Sequence, residues 1–362
     1  MSTSSLLRSS FLLLCSTLAL PACLIADGGP LLGGWAASSH PCAGNRTDTL
    51  WRDDDGTLWV GCGTTTEGFG LYRSTDDGAS WEAPDTDPPR MFDDFRVNSV
   101  SRSSDGVLYV AGTGRGARVM AVDTSVAPLA VERLLHEDNQ PTGSFSVGTF
   151  RRNAEGFAVA ESLTGADVVT RASDADDFVD APDWDGTEDS FQMLDLELDG
   201  DGGFVGCGST ISQPPTLFFS SSTTPFTMTP LTAAEEFDGE LWSIDVSDGA
   251  FTAGGVDQDT DVGILFSGPT SATSRDDLVR FDLDALFDDP TWVRGVCRDG
   301  DVVIAVGAFS TRGGGIVLQS DDGGASFIDI SPDDAPELSE CVVADGTVFV
   351  TGANGYFASQ PL

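Results

Sequence analysis

The chain contains no lysine. All 18 basic residues are arginines, and against 58 Asp and Glu they leave a formal net charge of −40 over 362 residues. An excess this large excludes nucleic acid and anionic membrane surfaces as partners, since both repel it. It favours solubility in salty water, where self-repulsion is screened. Histidine is nearly absent too: His40 and His136 are the two present, neither inside a recognisable serine or cysteine constellation for nucleophilic catalysis. No phosphate-binding glycine loop and no CxxC pair occurs. What remains is 40% hydrophobic and 21% charged, with 42 glycines and 18 prolines, a globular composition leaning toward strands and turns.

The first residues, "MSTSSLLRSSFLLLCSTLALPACLIADGG", carry one cation, Arg8, and an apolar run from Phe11 to Leu20. That is the pattern of an export signal, too short for a stop-transfer helix. Leu20-Pro21-Ala22-Cys23 resembles the lipobox of bacterial lipoproteins. The resemblance implies cleavage before Cys23, a lipid on its thiol, and a place in the bacterial cell envelope, periplasmic or at the cell surface. Residues 1–22 are therefore read as the signal, 23–32 as a linker and 33–362 as the folded domain. Membrane contact is expected through the lipid alone.

A recurring unit fills the rest. A β-branched or aromatic run, an acidic-glycine turn and a second run ending in glycine occur seven times, with turns at Gly56, Gly106, Gly156, Gly202, Gly249, Gly300 and Gly346. Successive turn glycines lie 46 to 51 residues apart. A third run follows in every copy and a fourth in six, from "SWEAP" to "SFIDIS". The seventh copy ends without one, while the start of the domain has a spare, "GGWAASS". This predicts an all-β, seven-bladed β-propeller of four-stranded blades, the last closed by the N-terminal strand, which removes an exposed sheet edge. A monomer is expected.

Ser74, Asp76, Gly78 and Trp81, and again Ser320, Asp322, Gly324 and Phe327, follow S-x-D-x-G-x-x-[WF]. The pattern resembles the Asp-box (BNR) repeat of sialidase-like and sortilin-like propellers. The resemblance implies a turn between a blade's third and fourth strands, held by the aspartate accepting backbone N–H groups, with the aromatic packed between strands. Fragments survive in "RASDADDF" and "FSSSTTPF".

Strand direction sorts the loops onto two faces. The acidic-glycine turns and the boxes share one, here the turn face; the blade-to-blade connections and second-to-third loops share the other, the connection face. Four connections mix carboxylates with aromatics: Phe92, Asp93 and Asp94; Trp184 and Asp185; Phe237, Asp238 and Trp242; Phe287, Asp288 and Trp292. Such a rim suits a cationic ligand, a basic protein segment or a sugar stacked on a ring; equally, the rings can wedge between blades while the acids hydrate the surface. Asp257, Asp259 and Asp261 alternate in a second-to-third loop, where hard oxygens suit Ca²⁺ but lack the glutamate of an EF-hand. Asp195, Glu197 and Asp199 in "LDLELDG" alternate with apolar residues and are read as a first strand.

Arg52, Arg102 and Arg152 each stand four residues before a turn glycine. They resemble a sialidase arginine triad in number, yet their place beside the turns points to pairing with nearby aspartates. Five cysteines follow Cys23. Cys42 and Cys62 should share one edge of blade 1, within disulfide reach; Cys297 and Cys341, on first strands of adjacent blades, form a second candidate pair, leaving Cys207. The expected function is a non-catalytic binding or scaffold module for a protein or glycan ligand. A sialidase-like glycoside hydrolase is the alternative, needing arginines and an acid pair that converge on the connection face. A structural assembly factor, as among photosystem-assembly propellers, is a third reading.

Overall fold

A computed structural model describes residues 34–42, 47–63, 69–103, 105–114, 116–136, 146–162, 168–181, 191–210, 214–220, 228–234 and 237–362. The signal, the linker, Cys23, Trp184 and Asp185 lie outside them. The described residues form one unit, Gly34–Leu362, built of seven sheets, antiparallel except for one short parallel pair. It is a seven-bladed β-propeller. The first strands of the blades are Thr49–Arg52, Arg96–Arg102, Val147–Arg152, Phe191–Leu198, Gly239–Ser247, Thr291–Asp299 and Leu338–Ala344.

Local chemistry explains each blade. All seven turn glycines have positive φ, from 59° at Gly300 to 96° at Gly202, a region closed to most side chains. In six blades the register between first and second strands slips by one residue, as between Leu241 and Ser243 or between Val293 and Gly295. The slip is a β-bulge. It explains the glycine that ends the second run: a Cβ on Gly208, Gly255 or Gly307 would lie 1.8 Å from a carbonyl oxygen of the bulged strand. Gly307→Ala is therefore expected to cost about 1–3 kcal/mol in urea unfolding. Gly34→Ala, where the added carbon meets nothing within 4 Å, should cost under about 0.5 kcal/mol; equal midpoints would refute the close-approach argument.

The core is a ring of seven clusters, each lying between two consecutive blades. Blade 1 meets blade 2 through Trp59, Leu71, Phe95 and Leu108. Blades 6 and 7 meet through Ile304, Val317, Leu338 and Val350, and the ring shuts where Leu58 and Val60 of blade 1 pack on Phe349 and Phe357 of blade 7. A chain this long keeps one domain because each blade is sandwiched by its two neighbours.

Closure follows the expected split. Ala36–Ser39 pairs antiparallel with Tyr356–Ser359 as the fourth strand of blade 7. Trp35 donates from Nε1 to the Ile330 carbonyl, 2.7 Å away in blade 6. Trp81 likewise packs edge-on against Phe357 of blade 7, and Phe327 against Phe281 of blade 5. These aromatics pack on the preceding blade.

Blade 1 departs from the expected count. Its sheet has three strands, and "SWEAP" is reduced to a single bridge between Arg73 and Glu82. The chain then leaves blade 1, and Thr86–Asp87 runs parallel to Leu129–Ala130 as a fifth strand of blade 2. Pro88 and Pro89 follow with no N–H to extend the pairing.

Candidate functional site

The first strands of all seven blades surround a channel of about 400 Å³. Each would present an unpaired edge there, and its N–H and C=O groups need partners. Side chains of neighbouring blades supply many of them. Asp195 of blade 4 accepts from the Leu196 N–H (2.8 Å), from the Thr149 hydroxyl of blade 3 (3.0 Å) and from the Ile244 N–H of blade 5 (3.0 Å). Asp245 accepts from the Val246 N–H (2.8 Å) and from the backbone N–H of Arg298 in blade 6 (2.6 Å). The Ser243 hydroxyl accepts from the Val296 N–H at 3.1 Å, and Ser339 donates to the Thr47 carbonyl at 2.7 Å across the ring closure.

Arg151 stands among these acids. Arg151 donates from Nε to Glu197 at 2.8 Å, and through its other nitrogens to Glu197 again, to the Ser99 hydroxyl and to the Phe150 carbonyl. Burial pushes Asp195 up to about 6, against the pull of Arg151 and with the push of Glu197. Asp245 rises further, to about 8, again through burial and then the charge of Glu197. The sequence assigned Asp195 and Glu197 to a first strand and went no further. Their signal is the charge at matched places: Arg151 and Glu197 each stand five residues before their turn glycines, and both line the channel.

Near the connection face, Trp242 and Arg294 line the channel and Trp292 stands beside them. The indoles meet edge-on at 6.1 Å, and the Arg294 guanidinium lies 4.3 Å from one ring and 4.6 Å from the other. Trp242 donates from Nε1 to Glu240 at 2.8 Å, while Glu337 stands 3.2 Å from Arg294. Asp48 is gripped by Arg96 through two bonds of 2.9 Å.

The other rim residues are less available than the sequence suggested. Phe92 is fully buried, and Asp93 is buried against Arg90. Asp94 takes a positive φ of 52° in the same loop. Phe237 is buried with Arg280 stacked on its ring at 4.5 Å. Phe287 packs on Phe309, whose face is covered by Arg312 at 3.8 Å. Asp238 and Asp288 are exposed. The rings serve mostly as wedges, and the cations on them are the protein's own arginines, whose planar guanidinium stacks on a ring more readily than an ammonium does.

The calcium expectation needs correcting. The Asp257 carboxylate accepts the N–H groups of Asp259 and Thr260, and Asp259 accepts from the Asp238 N–H. The loop folds onto its own backbone, so Asp257, Asp259 and Asp261 do not converge. Among the described residues no group of three or more His, Cys, Asp or Glu could hold a metal ion.

The S-x-D-x-G turns are two copies of one network. Ser74 donates to Asp76 at 2.8 Å, and Ser320 to Asp322 at 2.7 Å. The Gly78 and Gly324 N–H groups each reach the serine oxygen at 2.9 Å. Ser80 and Ser326, not singled out from the pattern, bond the aspartates through both N–H and hydroxyl. The Ser326 hydroxyl is the largest influence holding Asp322 down at about 2. Both glycines also abut the preceding blade: a Cβ would lie 2.1 Å from Phe357 at Gly78 and from Ser267 at Gly324.

Arg52, Arg102 and Arg152 grip acids of neighbouring turns. Arg52 reaches Asp345 at 2.6 Å, Arg102 reaches Asp53 at 2.6 Å, and Arg152 reaches Asp174 at 2.5 Å and Asp105 at 3.2 Å. They form no triad. Disulfides join Cys42 to Cys62 and Cys297 to Cys341, leaving Cys207 free and buried.

No family model matches the chain, and no curated protein does. Solved structures do resemble it. YCF48 bound to a D1 peptide is 15% identical with a TM-score of 0.61, over 92% of this chain and 99% of that one. Virginiamycin B lyase from Staphylococcus aureus is 12% identical with a TM-score of 0.62, over 91% and 99%. The GH74 xyloglucanase from Xanthomonas campestris is 12% identical with a TM-score of 0.61, over 91% of this chain and 54% of that one. All carry the same message. At such identities the likeness extends to the propeller fold and no further.

Proposed function

We propose that the chain is an exported, lipid-anchored propeller of the Asp-box class, attached through Cys23 to the bacterial envelope, that binds a basic segment of a partner protein. The site is the connection-face mouth of the channel. One observation carries the reading: the deep acids are consumed by backbone N–H groups and by Arg151, while near the connection face Trp242 and Trp292 hold the guanidinium of Arg294 at 4.3 and 4.6 Å beside Glu337, so the protein's own arginine marks a place built for a guanidinium, which a partner's arginine would share or take over. Rings beside carboxylates favour guanidinium and ammonium groups. A glycoside hydrolase would need an acid free to protonate a leaving group, and both oxygens of Asp195 and of Asp245 already accept N–H bonds. YCF48 with its D1 peptide is a propeller of similar shape holding a peptide, which also favours a client protein as the partner.

The test is a titration of basic, neutral and acidic peptides and of glycans, with sugar release followed in the same wells. Basic peptides are expected to bind, losing tenfold or more in affinity, about 1.4 kcal/mol, when Trp242→Ala and Glu337→Gln are combined. Binding confined to glycans, or any sugar release, would overturn the reading.

A further inference from the structure

The strand that closes the ring is the least embedded strand of blade 7. All four residues of Ala36–Ser39 are exposed, and their side chains are small, so the pairing with Tyr356–Ser359 is carried by the backbone. Further anchors come from three blades: Trp35 to the Ile330 carbonyl of blade 6, the His40 N–H to the Gly355 carbonyl of blade 7 at 2.9 Å, and the Ser38 hydroxyl to the Gly78 carbonyl of blade 1 at 3.0 Å; the His40 ring also bonds Thr47 at 2.9 Å and lies edge-on to Trp81 of blade 1. Nine residues, 40–48, then lead to the first strand of blade 1. Within them Cys42 is bonded to Cys62, at the end of blade 1's second strand.

None of these contacts depends on the strand belonging to the same chain as the edge it covers. From this we propose that the closing strand is exchangeable between two copies of this chain, and that the Cys42–Cys62 disulfide is the latch that keeps it at home. With the latch shut, strand and edge are held at high effective concentration and the chain is monomeric. With it open, the strand of one copy can cover the edge of another and the reverse, giving a closed two-fold dimer. The opening step is thiol–disulfide exchange with a dithiol, which gives two electrons and two protons to the cystine and leaves as its own disulfide. In the exchanged dimer Cys42 travels with its strand and meets Cys62 of the second copy. Cys297 and Cys341 both lie in the body of one chain and stay together.

That difference supplies an internal control. Full-length protein labelled with ¹⁵N is mixed with an equal amount of unlabelled protein at about 1 mM, the range of effective concentration a short linker provides. It is then reduced with dithiothreitol, reoxidised with oxidised glutathione and separated by size. In the dimer, about half of the Cys42–Cys62 peptides should join one heavy and one light chain, as random pairing in a two-fold exchange requires, while Cys297–Cys341 peptides remain all heavy or all light. The Cys42→Ser, Cys62→Ser double variant should dimerise without reductant and dissociate on dilution. Absence of a dimer, Cys42–Cys62 peptides of one isotope only, or equal mixing at Cys297–Cys341 would each overturn the proposal.

Discussion

Deleting residues 33–39 is expected to lower the melting temperature by roughly 4–5 °C, for a loss of about 3 kcal/mol, and to promote self-association through the uncovered edge. The deletion removes Trp35, packed against the cluster between blades 6 and 7, its bond to Ile330, and every pairing with Tyr356–Ser359. An uncovered edge then offers its N–H and C=O groups to other molecules. A dispensable tail would behave otherwise, since losing exposed linker changes stability by tenths of a kcal/mol. Melting curves at equal salt, which hold the repulsion among 58 acids fixed, separate the two cases together with elution volumes. Coincident curves and a monomeric deletion protein would refute the split blade.

Arg151→Met should be at least as damaging, by about 3–5 kcal/mol at pH 8, since it strands Glu197, Asp195 and Asp245 in the channel without their cation. The loss should shrink on acidification. Asp195 and Asp245 have folded-state values raised by burial, so the folded chain holds their protons more tightly than the unfolded one. Their contribution is complete below the unfolded value near 4 and is lost as pH rises through about 6 and then about 8. Without Arg151 to favour ionisation, that decline should steepen. Urea unfolding of wild type and variant at pH 5 and pH 8 measures it, and Arg151→Met, Glu197→Gln should recover much of the loss at pH 8. An identical deficit at both pH values would show that Arg151 acts through packing alone.

Much of the fold was legible because its determinants are local. A turn glycine with positive φ, a run of β-branched residues and a box serine bonding its own aspartate act within a few residues, and the period at which they recur counts the blades. The spare strand at the start was legible for the same reason: four strands per unit left one over at the start and one missing at the end. Blade 1 escaped because the path of "SWEAP" is decided by competition between two sheet edges, and only the packed blades show that Thr86–Asp87 finds blade 2.

The site divides along the same line. From the sequence came the aromatics and acids of the connections, but whether a ring is exposed depends on what packs over it, and Phe92, Phe237 and Phe287 are covered by residues from elsewhere in the chain. Arg294 could not be matched to Trp242 by spacing, because stacking joins neighbouring blades. The channel is wholly tertiary: Arg151, Glu197 and Asp245 lie in three different repeats, and only closing the ring brings their strands to one axis. Sequence alone therefore determined the number and kind of blades, through short-range backbone preferences. Tertiary structure decided which charges are buried together, because burial and the pairing that makes it tolerable are properties of the assembled ring.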